Sequence, residues 1–269
     1  TWVQNTLDRR EWEDAIQKGT ALIWVETPSN PTLAITDLAF IAELGKKHRI
    51  RTVADNTFAS PILTRPCELG IDLSVSSATK YLGGHSDLVA GVIAGRDADV
   101  VACWNVAKVT GPTLDPMAAW LLHRGLKTLY MRVRRASDNA QSLAQWLLWQ
   151  SQVARVDYPG LKEHPGHEVA KIQMTGGFGA MLSFEVRGGL EAGLRFCEAL
   201  EIIIRAVSLG GVESLIQHPA SMSHLKTPAE VKERLGITDG LLRFSVGIED
   251  EADLKADLER GFQAATMMK

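Results

Sequence analysis

Cysteine is scarce in this chain. Cys67, Cys103 and Cys197 are the only three in 269 residues. An odd, scattered set argues against a disulfide framework and for a reducing compartment, so a cytoplasmic location is expected. Long apolar runs are missing as well: none approaches the roughly 18 residues a membrane span needs. Net charge is only −3, which gives no electrostatic reason to expect nucleic acid or an anionic membrane as partner. Metal-ligand spacing is absent among the histidines. The stretch "HPGHE" (164–168) has a Pro-Gly centre that breaks the helix a zinc motif requires, and it reads as a loop. There is also no initiator methionine and no signal-peptide pattern, so Thr1 is expected to be an interior residue of a longer protein.

What is present alternates strands and helices. A charged helix is expected over 8–18, then a buried strand "ALIWVE" (21–26) that ends at the turn-forming "TPSNP". Thr36 or Asp37 caps a helix running to His48. Strands follow at "RTVADN" (51–56), "DLSVS" (72–76) and "LVAGVIAG" (88–95). This order predicts an α/β unit with a mostly parallel sheet, apolar on both faces, whose chemistry collects at the carboxyl ends of its strands. That rule points to residues 26–30, to Asp55 and Asn56, and to 77–80. Residues 115–150 read as almost continuous helix, with a charged stretch "MRVRRASDN". Beyond it, strands at 154–161, 179–188 and "LLRFSVG", with helices at 189–201 and 250–265, predict a smaller α+β unit.

One stretch does not fit a plain core. "SSATKYLGGHSD" (76–87) sets Lys80 between two apolar runs, although lysine is among the residues least often buried. Lys80 is either a surface lysine with its stem along apolar neighbours or a desolvated amine with chemistry to do. Ser76, Ser77 and Thr79 supply hydroxyls beside it, and Gly83 and Gly84 allow close approach of backbone or a positive φ. A lysine of lowered pKa suits a Schiff base, and hydroxyls with backbone N–H groups suit a phosphate. Together they describe a pyridoxal 5'-phosphate (PLP) site. PLP acts as an electron sink when its ring nitrogen stays protonated, which requires a carboxylate. Asp55 at a strand end is the candidate, and an Asp-Asn turn former is the alternative. Ser77-Ala-Thr-Lys80 and Ser137-Asp138-Asn139 also match pieces of the penicillin-binding acyl enzymes, but "SDN" falls inside the long helix and no K-T-G follows.

The blocks "ETPSNPT", "ADNTF", "SATKYLGGHSD", "RGLKTL", "AVSLGGVESLIQHPASMSH" and "LLRFSVGIED" occur in an order that resembles the Cys/Met-metabolism (trans-sulfuration) family of PLP enzymes across essentially the whole chain. The resemblance implies an aspartate-aminotransferase-like, fold type I large domain at 1–131, incomplete at its N-terminus, and a C-terminal α+β domain at 132–269. About 120 further residues are expected before Thr1, including a tyrosine that stacks on the cofactor and a Tyr/Arg pair lent to a neighbouring subunit; a homotetramer built as a dimer of dimers follows. The resemblance also gives Lys80 as the catalytic lysine and cofactor attachment point. Asp55 becomes the ring-nitrogen partner, Ser77 and Thr79 phosphate ligands, and Asn30 a contact to cofactor and substrate. Arg243 grips the substrate's α-carboxylate, which suits a guanidinium fork, and Ser208 lines the same pocket. A domain-interface ion pair is the other reading of Arg243. Val207 stands where cystathionine-processing relatives tend to carry Glu. It cannot compensate a distal ammonium, which tilts the expected substrate toward a methionine-like thioether and the reaction toward that of methionine gamma-lyase. Cystathionine gamma-lyase, cystathionine gamma-synthase and O-acylhomoserine sulfhydrylase chemistry, and an inactive PLP-fold protein, are the alternatives.

Overall fold

The computed structural model describes residues 1–266; the last three residues of the expected C-terminal domain lie outside them. The first part runs α1 (Arg9–Ala15), β1 (Leu22–Glu26), α2 (Leu38–His48), β2 (Arg51–Asp55), a short α3 (Ser60–Leu63), β3 (Leu73–Ser77), β4 (Gly91–Gly95), α4 (Asp97–Thr110), α5 (Pro116–Leu126) and α6 (Leu129–Leu147). The second runs β5 (Val153–Asp157), α7 (His167–Gln173), β6 (Met181–Val186), α8 (Gly189–Glu198), β7 (Ile204–Arg205), β8 (Leu215–Gln217), α9 (Ala229–Arg234), β9 (Leu241–Ser245) and α10 (Glu251–Thr266).

Two sheets result, ordered β1-β2-β3-β4 and β5-β6-β9-β8-β7. β1, β2 and β3 pair in parallel, so their carboxyl ends lie side by side, with Glu26 opposite Asp55. β4 joins antiparallel to β3, a return that the tight turn after Lys80 makes possible. α2 crosses between β1 and β2. Its first turn is held by the Asp37 carboxylate, which accepts the Phe40 N–H at 3.1 Å. Leu38, Ile41, Ala42 and Leu44 face the sheet, the one-sided apolar stripe of a packed helix.

Three expectations need correction. The strand at 21–26 is not buried on both faces: exposure alternates along β1, leaving Leu22 and Trp24 open, and β4 is exposed throughout. α2 covers only one face of this sheet. The helix expected over 115–150 is two helices. Asp115 caps the first by accepting from Met117 N and Ala118 N. That helix then tightens into a turn in which Lys127 N–H reaches Arg124 O and Thr128 N–H reaches Gly125 O. Lastly, the 164–168 loop already enters α7 at His167.

α6 spans two cores. Leu129, Val133 and Ala136 pack under the Lys80 turn with Ala78, Tyr81 and Leu82. One turn further on, Ala140, Leu143 and Leu147 join the core of the second sheet, where Phe184, Phe196 and Phe262 meet edge to face. β9 divides its side chains by the two-residue period of a strand. Leu242 and Phe244 enter this second core, so Arg243 and Ser245 must face the opposite way, toward the first sheet.

Candidate functional site

The strand ends and the second sheet converge on Lys80. Its Nζ lies 2.9 Å from Ser208 Oγ, 128 residues away in sequence. Burial, then the positive charge of Arg243, hold the Lys80 amine below its usual pKa. Ser208 is shared: its carbonyl accepts Arg243 Nη2 at 2.8 Å, beside the Val207 carbonyl at 2.9 Å. Arg243 Nη1 reaches Asn30 Oδ1 at 3.1 Å. These bonds draw Lys80, Ser208, Val207, Arg243 and Asn30 into one cluster. Arg243 is 4% exposed, and no carboxylate pairs with it among the described residues. The domain-interface ion pair is therefore not what the structure shows. Burial, against a raising effect from Tyr81, brings its pKa down to about 10. A buried cation whose partners are neutral retains its charge for an anionic ligand.

Asp55, Ser77 and Thr79 share the strand ends with Lys80: its backbone N–H donates to Ser77 O at 3.2 Å, and none of the three side chains bonds to its amine among the described residues. Asp55 Oδ1 accepts Thr57 N–H at 2.9 Å, which leaves its second oxygen for another donor. Ser77 N–H donates to Thr57 Oγ1 at 2.9 Å, and the residue is half-exposed at the end of β3. Thr79 differs. Its hydroxyl donates to Ala90 O at 3.3 Å and accepts Ala90 N–H at 3.0 Å, so a phosphate must compete for that proton. Val207, next to Ser208 in sequence, is 62% exposed.

Three groups near the site carry no role in the sequence reading. Glu26, opposite Asp55, accepts Asn30 N–H at 3.1 Å and so orders the residue that anchors Arg243. Its carboxyl is pushed up to about 7 by burial and by Asp55. Glu26 keeps solvent contact at the strand end, so the neighbouring charge is the better-founded cause. Arg132, part of a charged stretch on α6, is buried instead of solvated. It donates to Tyr81 O and Gly125 O, each at 2.8 Å, and to Thr128 Oγ1 at 3.0 Å. Tyr81 is buried beside Arg243. Only strand-end position marks Glu26 in the sequence, and nothing marks the other two.

The two glycines serve the fold. Gly84 has φ +75°, and a Cβ there would overlap the Arg132 guanidinium; a Cβ at Gly83 would sit 2.9 Å from Ala78 O. The close approach they permit is to Arg132 and the turn itself.

The donor set suits PLP. It has a half-buried amine of lowered pKa, a carboxylate with one oxygen unengaged, strand-end hydroxyls and a buried guanidinium. A cavity of about 570 Å³ opens beside them, bounded by Thr79 and Ser208 on one wall and by Asp87, Asp115, Met117 and Leu121 on others.

The sequence pattern of the family described as Cys/Met metabolism PLP-dependent enzyme matches residues 1–263. The chain belongs to that family. Members act with pyridoxal 5'-phosphate, and the fold is their fold type I. Cystathionine gamma-lyase from Lactobacillus plantarum superposes with a TM-score of 0.93 at 42% identity, over 97% of this chain and 68% of its own. Cystathionine gamma-synthase from Xanthomonas oryzae pv. oryzae superposes with a TM-score of 0.91 at 47% identity, over 96% and 67%. The chain is 47% identical over 254 residues to a cystathionine beta-lyase of Coxiella burnetii, covering 94% of this chain and 65% of that protein. It is 44% identical over 262 residues to an L-methionine gamma-lyase of Fusobacterium nucleatum subsp. nucleatum, covering 96% and 66%. The chain thus spans about two thirds of the length of the curated relatives it matches.

Proposed function

We propose that this chain carries the catalytic core of a PLP-dependent enzyme that eliminates or replaces the γ-substituent of a sulfur amino acid, most like a methionine gamma-lyase. The observation that carries this reading is the chain of contacts Lys80–Ser208–Arg243–Asn30, which joins an amine to an anion receptor across the two sheets. Lys80 Nζ is the amine that would bear the cofactor, Asp55 would hold its ring nitrogen, and Ser77 with Thr79 its phosphate. Asn30 would contact the ring hydroxyl. When bound, PLP supplies an electrophilic aldehyde and a sink for negative charge released at Cα.

The chain's own residues supply the rest. Arg243 binds the substrate α-carboxylate, with Asn30 holding one Nη1–H of its fork. Ser208 orients the Lys80 amine. That amine, held below its usual pKa, accepts the α proton at Nζ and can return it further along the substrate. Val207, exposed beside the Ser208 that lines the cavity, offers an apolar surface suited to a thioether.

A second reading keeps cystathionine as substrate, under a cystathionine gamma-lyase or gamma-synthase reaction. Asp87 and Asp115 on the cavity wall favour it, since a carboxylate there complements a distal ammonium. The same proposal divides the protein at 131/132 with α6 as a shared spine, places it in the cytoplasm, and makes it a homotetramer. Exposed Trp104, Trp120 and Tyr130 on α4 to α6 support self-association.

The test starts from the visible spectrum of the PLP-supplied protein, followed by borohydride reduction and peptide mass mapping. A yellow protein whose pyridoxyl adduct maps to Lys80, with faster oxoacid release from L-methionine than from L-cystathionine, is expected. An adduct on any other lysine overturns the site. Cystathionine as the better substrate selects the second reading, and PLP uptake with no turnover selects an inactive family member.

A further inference from the structure

Tyr81 follows Lys80 in sequence but is only 3% exposed. Its phenol faces Ser245 and the Arg243 charge. Two buried polar atoms in this small region have no hydrogen-bond partner among the described residues: Tyr81 Oη and Arg243 Nε. A buried polar group left unpaired costs about 1–3 kcal/mol, so two on side chains close enough to influence one another's charge call for a common explanation.

The geometry of β9 supplies it. Arg243 and Ser245 stand two residues apart on one strand, so both side chains leave the same face. Ser245 Oγ accepts Gly210 N–H at 2.9 Å and retains a second lone pair. Gly210 in turn lies on Tyr81, close enough that a Cβ there would sit 2.8 Å from Tyr81 N. A phenol both accepts and donates, so it can join the Arg243 Nε–H to Ser245 Oγ.

The donor count of Arg243 shows why this matters. Of its five N–H groups, both on Nη2 go to Val207 O and Ser208 O and one on Nη1 goes to Asn30. One Nη1–H and the Nε–H remain. Whatever holds Nε–H fixes the rotation of the fork and the direction of the free Nη1–H.

We propose that the Tyr81 phenol is a positioning group for the Arg243 anion receptor: its oxygen accepts the Nε–H, directly or through one water, and donates to Ser245 Oγ, setting the plane in which the guanidinium meets an α-carboxylate. This rests on the reading of Arg243 as a carboxylate receptor.

The experiment compares Tyr81→Phe with the parent, both as PLP-loaded full chains. Two probes are used: L-methionine and its decarboxylated analogue 3-(methylthio)propylamine. Tyr81→Phe is expected to weaken L-methionine binding and raise its KM about fivefold to twentyfold, with kcat within twofold and amine binding unchanged. Ser245→Ala should shift methionine in the same direction, and the double variant no further. It also carries the test if Tyr81→Phe does not fold. In the cofactor-free protein, the Arg243 Nε–H resonance, assigned by its loss in Arg243→Lys, should exchange faster with solvent in Tyr81→Phe. Equal weakening of methionine and amine, or no change for methionine, overturns the proposal. If Arg243→Lys weakens methionine but Tyr81→Phe does not, only this inference falls. If neither does, the receptor reading falls with it.

Discussion

Replacing Gly84 by alanine tests the turn that presents Lys80. Gly84 sits at φ +75°, a backbone setting that costs an L-residue about 1 kcal/mol. The larger cost is steric. The added methyl would overlap the guanidinium of Arg132, which is buried and donates to Tyr81 O at 2.8 Å. Moving it bends or breaks a charge-assisted hydrogen bond worth about 1.5–3 kcal/mol. Gly84→Ala is therefore expected to lower the unfolding free energy by about 3 kcal/mol, read as a shift of the urea midpoint at constant slope. Arg132→Met removes the obstacle. In that background Gly84→Ala should cost only the backbone strain, about 1 kcal/mol, which leaves a coupling of about 2 kcal/mol in the double-mutant cycle. Additive costs, with coupling inside about 0.5 kcal/mol, would refute the claim that this glycine makes room for Arg132.

Two further outcomes follow from buried polar groups. His164 takes Gly166 N–H on Nδ1 at 3.1 Å, which requires a neutral ring, and burial brings its pKa down to about 4. A folded pKa below the unfolded value near 6.5 leaves stability whole above about pH 6.5 and erodes it as pH falls through 4. The ideal loss is about 3 kcal/mol. Partial solvent screening trims it to about 2, so thermal melts of His164→Gln should show a shallower acid limb than the parent; parallel acid limbs would exclude the histidine as the cause. Asp257, fully buried, accepts N–H groups from Glu201, Ile202 and Ile203 and pairs with Arg260 at 2.8 Å. Asp257→Asn should cost about 2–4 kcal/mol in urea unfolding, and a loss below about 0.5 kcal/mol would show that those N–H groups find other acceptors.

The elements were legible where local signals are strong. β1, β2 and β3 follow from short apolar runs that stop at turn formers, and the strand-end rule then brings Glu26, Asp55 and Ser77 together without any structure. The break after α5 was hidden because Lys127 and Thr128 are acceptable helix residues. What marks the place is Arg132, which bonds back to Gly125 O and Thr128 Oγ1 while its guanidinium is held across the fold on Tyr81 O. Arg132 also shows how a composition argument fails. In "MRVRRASDN" every arginine looks solvated, yet Arg132 and Ala136 lie four apart on the buried stripe of α6, while Arg135 on the outer side is exposed.

Partnerships are the part that spacing cannot encode. Lys80 meets Ser208, and Arg243 meets Asn30, across separations of 128 and 213 residues. Residue type says that an amine and a guanidinium are present; only the packing of the second sheet on the first says that they share a serine. The reason given for Gly83 and Gly84 shows the same limit from the other side. Small residues beside a candidate lysine were correctly read as room for a close approach, but what approaches is a buried arginine on α6. That guanidinium pins the Tyr81 carbonyl, and Tyr81 follows Lys80 directly in sequence while its buried phenol feels the Arg243 charge. The geometry of the amine and of the anion receptor therefore depends on a side chain that touches neither ligand, so substitutions on α6 should alter the site without entering it.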